Sequence, residues 1–361
     1  MLLGVNKMKI DKDFCMNSYL TYRGIVQEDI GFSSSFPPRI YKPYNIEKRK
    51  KVYDSKDTFK EIKNFVDSLF NNTQNNIALM LSGGIDSAIL AALVPEGTKA
   101  YTFKNDASES LDDVIYARKY AQLFKLNHEI IEVSWDDFNN IMDSLMLHKG
   151  APIHSIEPQI YKAALAAKES GYNTLLFGEN ADIVFGGFNG LLAKDWTTEE
   201  FYQRYGFVDP KLVLNNPQKI IKPILKYTNS MGEVDVHSFI NDVFYTEANS
   251  SYENACSLAK IRFTTPFNRL KLGSELDLKR VRSGENKYIL REIFAKLYPN
   301  FENRKKIPMP RAVDKWFSNW SGPTRKEFKK IEDMNKFSGD QKWMIYCLER
   351  FLNLIEDTNE K

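Results

Sequence analysis

Residues 82–87 read Ser82-Gly83-Gly84-Ile85-Asp86-Ser87, between an apolar run (Ile77 to Leu81) and an apolar helical pattern (Ala88 to Leu93). This is strand, glycine turn, helix. Two glycines let backbone pass close to a ligand and can turn amide N–H groups toward an anion. The following helix aims its positive end at the same point. Ser82 and Ser87 add hydroxyls. Asp86 would repel a bare phosphate, but it suits one whose charge is shared with a divalent cation. The chemistry implied is binding of a magnesium nucleotide. A strand–helix turn that only needs small residues is the bland alternative, and the full string is more specific than that requires. Neither Gly-x-x-x-x-Gly-Lys-Ser/Thr nor Gly-x-Gly-x-x-Gly occurs, so neither the usual P-loop nor a dinucleotide fingerprint is present.

A second constellation is Phe177-Gly178-Glu179-Asn180-Ala181-Asp182, followed by Phe185-Gly186-Gly187-Phe188. It ends another short apolar run. In open α/β sheets ligands lie beyond the carboxyl ends of the strands, which puts Glu179 and Asp182 on the same edge as Ser82–Ser87. Two carboxylates facing one nucleotide are costly unless a cation pairs them. The plainer reading is a helix N-terminus favoured by two acids.

The elements that must hold these residues follow from the pattern. Phe59, Ile62, Val66 and Leu69 make one face of a helix over 56–70. Strands are expected at 77–81, 100–103, 128–133 and 174–177. Helices are expected from 88, at 111–126, at 136–147 and at 157–170. Alternation at these lengths implies an α/β fold with a parallel sheet and helices on both faces. Beyond Gly190 strand signals fade, and a mostly helical C-terminal part is expected. Residues 1 to about 54 read as irregular or strand-like, with breakers at Pro37-Pro38 and Pro43. The run Glu47–Lys51 reads first as a solvated face.

Composition narrows the classes. Fifty basic and 47 acidic side chains nearly cancel, which gives no electrostatic case for nucleic acid as the main partner. Three scattered cysteines (Cys15, Cys256, Cys347) form no zinc or Cys-x-x-Cys spacing and suit a reducing cytosol. No signal peptide and no membrane span are expected. The four histidines show no metal spacing.

With both motifs in view, the chain resembles the synthetase, or ATP pyrophosphatase, domain of asparagine synthetases. That family's second motif reads Gly-Glu/Asp-Gly-x-Asp-Glu-x-Phe-Gly-Gly. The likeness continues at Tyr116–Ala121, Pro266-Phe267, Lys287-Tyr288-Ile289-Leu290-Arg291-Glu292 and Arg304-Lys305-Lys306, and covers roughly residues 56 to 320. β-Lactam synthetases, carbapenam synthetases and lasso-peptide cyclases share the domain. The resemblance implies an adenine-nucleotide α-hydrolase-like fold, ATP and Mg2+ as cofactors, and activation of a carboxylate as an acyl-adenylate. Pyrophosphate leaves, and ammonia or an amine then attacks.

Carried over by position, Ser82, Gly83, Gly84, Asp86 and Ser87 would hold pyrophosphate and magnesium, with Asp182 as the second metal carboxylate. Gly178 would line the ribose or adenine side, with Leu79 and Phe103 near the base. Glu179 would face the reacting centre, and Lys306 would stabilise charge at the adenylate. His154, in Pro152–Pro158, falls where this family places substrate-pocket residues; otherwise it caps the helix that follows.

The departures are Asn180 for a glycine, Ile183 for an acid, and Pro266-Phe267-Asn268-Arg269 for Pro-Phe-Leu-Asp. They bear on aspartate as substrate more than on adenylation. Leu2 stands where the family's nucleophilic cysteine would follow Met1, so residues 1–55 are expected to form a short segment without a glutaminase, ahead of a ligase domain over 56–361. The expected activity is a cytoplasmic, AMP-forming carbon–nitrogen ligase for a small-molecule or peptide carboxylate, in natural-product or surface-polysaccharide tailoring. Its nitrogen would come from ammonia, an amine or a separate glutaminase subunit. The alternatives are a pyrophosphate-loop enzyme that modifies a nucleobase or tRNA, and a non-catalytic nucleotide-binding homologue.

Overall fold

The computed structural model describes residues 8–41, 44–301 and 309–357. Its centre is a five-stranded sheet: β1 (Ile77–Met80), β2 (Lys99–Lys104), β3 (Asn127–Glu132), β4 (Thr174–Leu176) and β5 (Arg262–Thr264). The spatial order is β3-β2-β1-β4-β5 and every pairing is parallel. The order reverses direction between β1 and β4. A crevice opens at such a switch point because the connections leave toward opposite faces.

The principal helices are α1 (Lys12–Tyr22), α2 (Ser55–Asn71), α3 (Ile85–Ala91), α4 (Ser108–Leu123), α5 (Trp135–Lys149), α6 (Glu157–Glu169), α7 (Ala181–Phe185), α8 (Tyr245–Leu258), α9 (Tyr288–Leu297) and α10 (Gly339–Asp357), with further short helices between them, the longest Thr198–Tyr205. Side chains alternate across the sheet, so one strand feeds two cores. Ala78 and Met80 join Tyr101, Phe103 and Leu175 under α1, α5, α6, α8 and α10. Ile77, Leu79 and Leu81 join Ala100 and Leu176 under α2, α3, α4 and α9. With both faces covered, β1 is buried at every position, which is why it reads as an unbroken apolar run. A third core, from Ile183 to Ala248 with Tyr22, Leu276 and Val281, fills the long connection between β4 and β5 and packs it on the segments that flank it.

The expected elements from 56 to 177 are present, with ends shifted by a few residues. One expectation fails, and one short strand was not foreseen. The chain before residue 54 is not simply irregular or strand-like: α1 spans Lys12–Tyr22, and Cys15 through Tyr22 are all buried. A helix buried on nearly all sides has no polar face and leaves no 3.6-residue signature. Downstream, β5 is only three residues long and follows α8 after a short turn, so no alternation marks it.

Candidate active site

The Ser82–Ser87 loop links β1 to α3, and Gly178–Asp182 links β4 to α7. The two neighbouring strands bring their loops into contact. A Cβ at Gly178 would lie 2.8 Å from the Ser87 amide nitrogen, so only glycine permits this approach. One at Gly187 would overlap the Asp182 carboxylate. Both loops line a cleft of about 930 Å3, together with Phe103, His154, Glu179 and Lys287.

The loop is braced from within. The Ser82 amide donates to Ser87 Oγ (3.0 Å), the Gly83 amide to Asp113 Oδ1 (2.8 Å), and the Gly84 amide to Ser82 Oγ (3.2 Å). The expectation of amides turned toward an anion therefore needs amending: the motif's own hydroxyls and Asp113 on α4 already shape the loop. Asp113 lines the cleft as well, and the sequence offered no motif to single it out.

At the centre lies Lys287. Its ammonium is 2.7 Å from Asp86 Oδ2 and 3.2 Å from Asp182 Oδ1, and its side chain is only 4% exposed. Burial alone would pull its pKa down; the charges of Asp182 and Asp86 outweigh burial and hold it above the usual range. Lys287 has a left-handed backbone, φ +52°, at the start of α9. A non-glycine residue there is uncommon and points to a functional constraint. The sequence carried it only as the first residue of a motif, without a role.

The expected pair of carboxylates is therefore assembled from two strand ends around a cation. Among the described residues no three His, Cys, Asp or Glu side chains form a ready metal cluster. Two carboxylates that already converge on one positive charge fit a magnesium ion that completes its shell with phosphate and water oxygens.

Glu179 lines the cleft, and its carbonyl accepts from Thr265 Oγ1 (2.8 Å). Tyr252 on α8 lies beside it. Burial, and then the Glu179 carboxylate, push that phenol well above its usual range. Asn180 sits at φ +70°, a left-handed conformation that glycine adopts freely and asparagine tolerates. Its amide joins those of Asn249 and Asn268, so two of the departures from the family pattern, Asn180 and Asn268, meet in one buried network.

His154 lines the cleft, and its Nδ1 accepts from the Ile156 amide (3.2 Å) just ahead of α6, which has no side-chain cap of its own. Burial, and then the nearby Arg311 charge, lower the His154 pKa to about 3, so the ring is neutral with its proton on Nε2. Arg311 pairs with Asp340 at 2.7 Å on the same wall.

Phe103 lines the cleft, as expected of a residue near the base. Leu79 does not. It is fully buried in the core on the opposite sheet face, and Met80 and Leu81 line the cleft in its place. Alternation along β1 turns Met80 to the cleft and Leu79 away from it, Leu81 lies past the strand's end, and nothing local marks which parity faces the ligand. Lys306, with Arg304 and Lys305, lies outside the described residues.

A family model described as asparagine synthase matches residues 71–272. A putative glutamine-hydrolysing asparagine synthetase 1 of Methanocaldococcus jannaschii is 26% identical over 153 residues, covering 38% of this chain and 27% of that protein. The chain thus spans well under half the length of that relative. Among solved structures, a U34-tRNA thiolase of Methanococcus maripaludis aligns over 82% of this chain and 79% of that chain, at 12% identity and a TM-score of 0.32.

Proposed function

The chain belongs to the asparagine synthase family, and on that premise we propose that it is an ATP-dependent ligase that adenylates a carboxylate, releases pyrophosphate and passes the acyl group to ammonia or an amine. One observation carries the reading. Asp86 and Asp182, from two strand ends, converge on a buried cation beside a serine–glycine loop, at the switch point of a parallel sheet.

Each step has a residue suited to it. The Ser82–Ser87 loop and the start of α3 receive the β,γ-phosphates. Asp86 and Asp182 would hold magnesium, which when bound neutralises phosphate charge and the departing pyrophosphate. Lys287 lies close enough to both carboxylates to pass from them to a phosphate oxygen once their charge is met by the metal. Phe103 and Met80 give the base an apolar wall, and Gly178 leaves room beside it. Glu179 is positioned to orient the amine or accept its proton as it attacks the acyl carbon. Lys306, by resemblance, would stabilise negative charge in the transition state.

The carboxylate, the nitrogen source, any glutaminase partner and a cytoplasmic setting belong to the proposal. The absence of a membrane-length apolar helix among the described residues is compatible with it. The three cysteines are buried and free, so none is offered to the cleft as a reactive thiol.

The test is exchange of labelled pyrophosphate into ATP across a panel of carboxylic acids. Acid-dependent exchange that disappears in Asp86→Ala, with the fold intact, is expected. Exchange at the normal rate in Asp86→Ala would sink the site assignment, and no exchange with any acid would favour a non-catalytic nucleotide binder.

A further inference from the structure

A second cavity, of about 200 Å3, lies behind the 178–182 segment. Thr265, in its wall, donates to the Glu179 carbonyl, and Asn249 and Asn268, also in its wall, hold the Asn180 amide. The main cleft and this cavity thus share one partition.

Two charged groups of opposite sign line it. Glu253 on α8 is half-buried, and makes no ion pair or hydrogen bond among the described residues. Burial pushes its carboxyl up, with no compensating cation. Arg269 makes no ion pair there either. Its guanidinium stacks on Tyr44 at 4.4 Å and donates to that hydroxyl at 3.3 Å, which leaves other donors unused. The Tyr245 hydroxyl, fully buried in the same wall, meets the Tyr44 backbone. Leaving a half-buried charge unmatched is costly, which points to a ligand that matches it.

The charges select its class. A bare cation would meet Arg269, and a bare anion would meet Glu253. One carboxylate does not make a site for a divalent metal. At roughly 30 Å3 per water, the space holds about six waters, or a molecule of similar size. We infer that this cavity binds a small free amino acid as its zwitterion, with the ammonium on Glu253 and the carboxylate on Arg269. The Tyr245 hydroxyl and the second N–H of the Asn268 amide supply the remaining hydrogen bonds.

Calorimetric titration of the full chain without ATP tests this, using glycine, L-alanine, L-serine and L-glutamine, with their N-acetyl and methyl-ester derivatives as controls. Saturable binding of at least one free amino acid is expected. Affinity should fall about tenfold or more when either end is blocked, and likewise in Glu253→Gln and Arg269→Gln, because a charged partner is lost in each case. Asp86→Ala, in the other cavity, should bind as the wild type does. Arg269 is exposed and Tyr245→Phe is near-isosteric, so Arg269→Gln and Tyr245→Phe keep the test open if Glu253→Gln fails to fold. Three results overturn the inference: no saturable binding by any of the four, binding unchanged in Arg269→Gln, or binding lost in Asp86→Ala. None of them touches the adenylation reading, which stands or falls on pyrophosphate exchange.

Discussion

At the scale of single residues, the site turns on one ammonium between two carboxylates. Lys287→Met removes the ammonium that Asp86 and Asp182 share at low exposure. Breaking a buried pair in this way costs about 3 kcal/mol or more. The variant should therefore melt well below the wild type. Magnesium should raise its melting temperature more than that of the wild type, because the ion takes over the missing charge. Thermal melts with and without magnesium check both points, and a variant that melts like the wild type would show the pair to be inconsequential. His154 makes a second prediction. Its ring is neutral when folded, at about 3, against an ordinary 6.5. The unfolded chain therefore takes up a proton first as pH falls below 6.5, and stability from this group is lost down to about 3. His154→Gln should flatten that part of the pH–stability curve, measured by urea unfolding. Asp86 was legible in the sequence because its motif is contiguous. Lys287 was not, because its partners lie 201 and 105 residues away and only the fold joins them.

At the scale of elements, backbone conformation explains what substitution patterns alone left open. Asn180 begins α7 in the left-handed region, and its amide ties that turn to α8 through Asn249. Asn180→Gly keeps the conformation and loses the amide bonds. Asn180→Ala loses both, adding roughly 1–2 kcal/mol for an alanine held left-handed. Alanine should therefore be the more destabilising change by about that amount, and urea unfolding of the two variants decides it. Equal stabilities would mean that the loop relaxes out of this conformation. The strands and helices from α2 to β4 were legible because apolar period and turn residues agree there. Helix α1 was not, since burial on almost every side erases the pattern. The parity of β1, which sends Met80 rather than Leu79 to the cleft, is set by packing on both faces of the sheet.

At the scale of the whole molecule, the long connection between β4 and β5 is fastened to the N-terminal helix by an ion pair within the cleft wall. Arg23, the left-handed residue that closes α1, lies 3.5 Å from Glu247 on α8 and is flanked by the rings of Tyr205, Phe207 and Phe244. Nothing local in the sequence joins these residues, since 224 positions separate Arg23 from Glu247. Burial raises the Glu247 carboxyl from 4.5 to about 7, although Arg23 pulls it the other way. The sign of the consequence is fixed by linkage. Below pH 4.5 the carboxyl is protonated in both folded and unfolded chains, and its contribution to stability is fully present. As pH rises toward 7 the unfolded chain ionises first, and that contribution is lost. Above about 7 both states are charged and the loss levels off. Glu247→Gln removes the titration while keeping the shape, and below pH 7 it replaces a protonated carboxyl with another neutral group. The variant's stability relative to the wild type should therefore rise steadily between pH 4.5 and 7 and stay constant above it. Urea midpoints for both proteins across that range measure the difference directly. A constant gap at every pH would mean that Glu247 is ionised throughout, with Arg23 rather than burial controlling its charge.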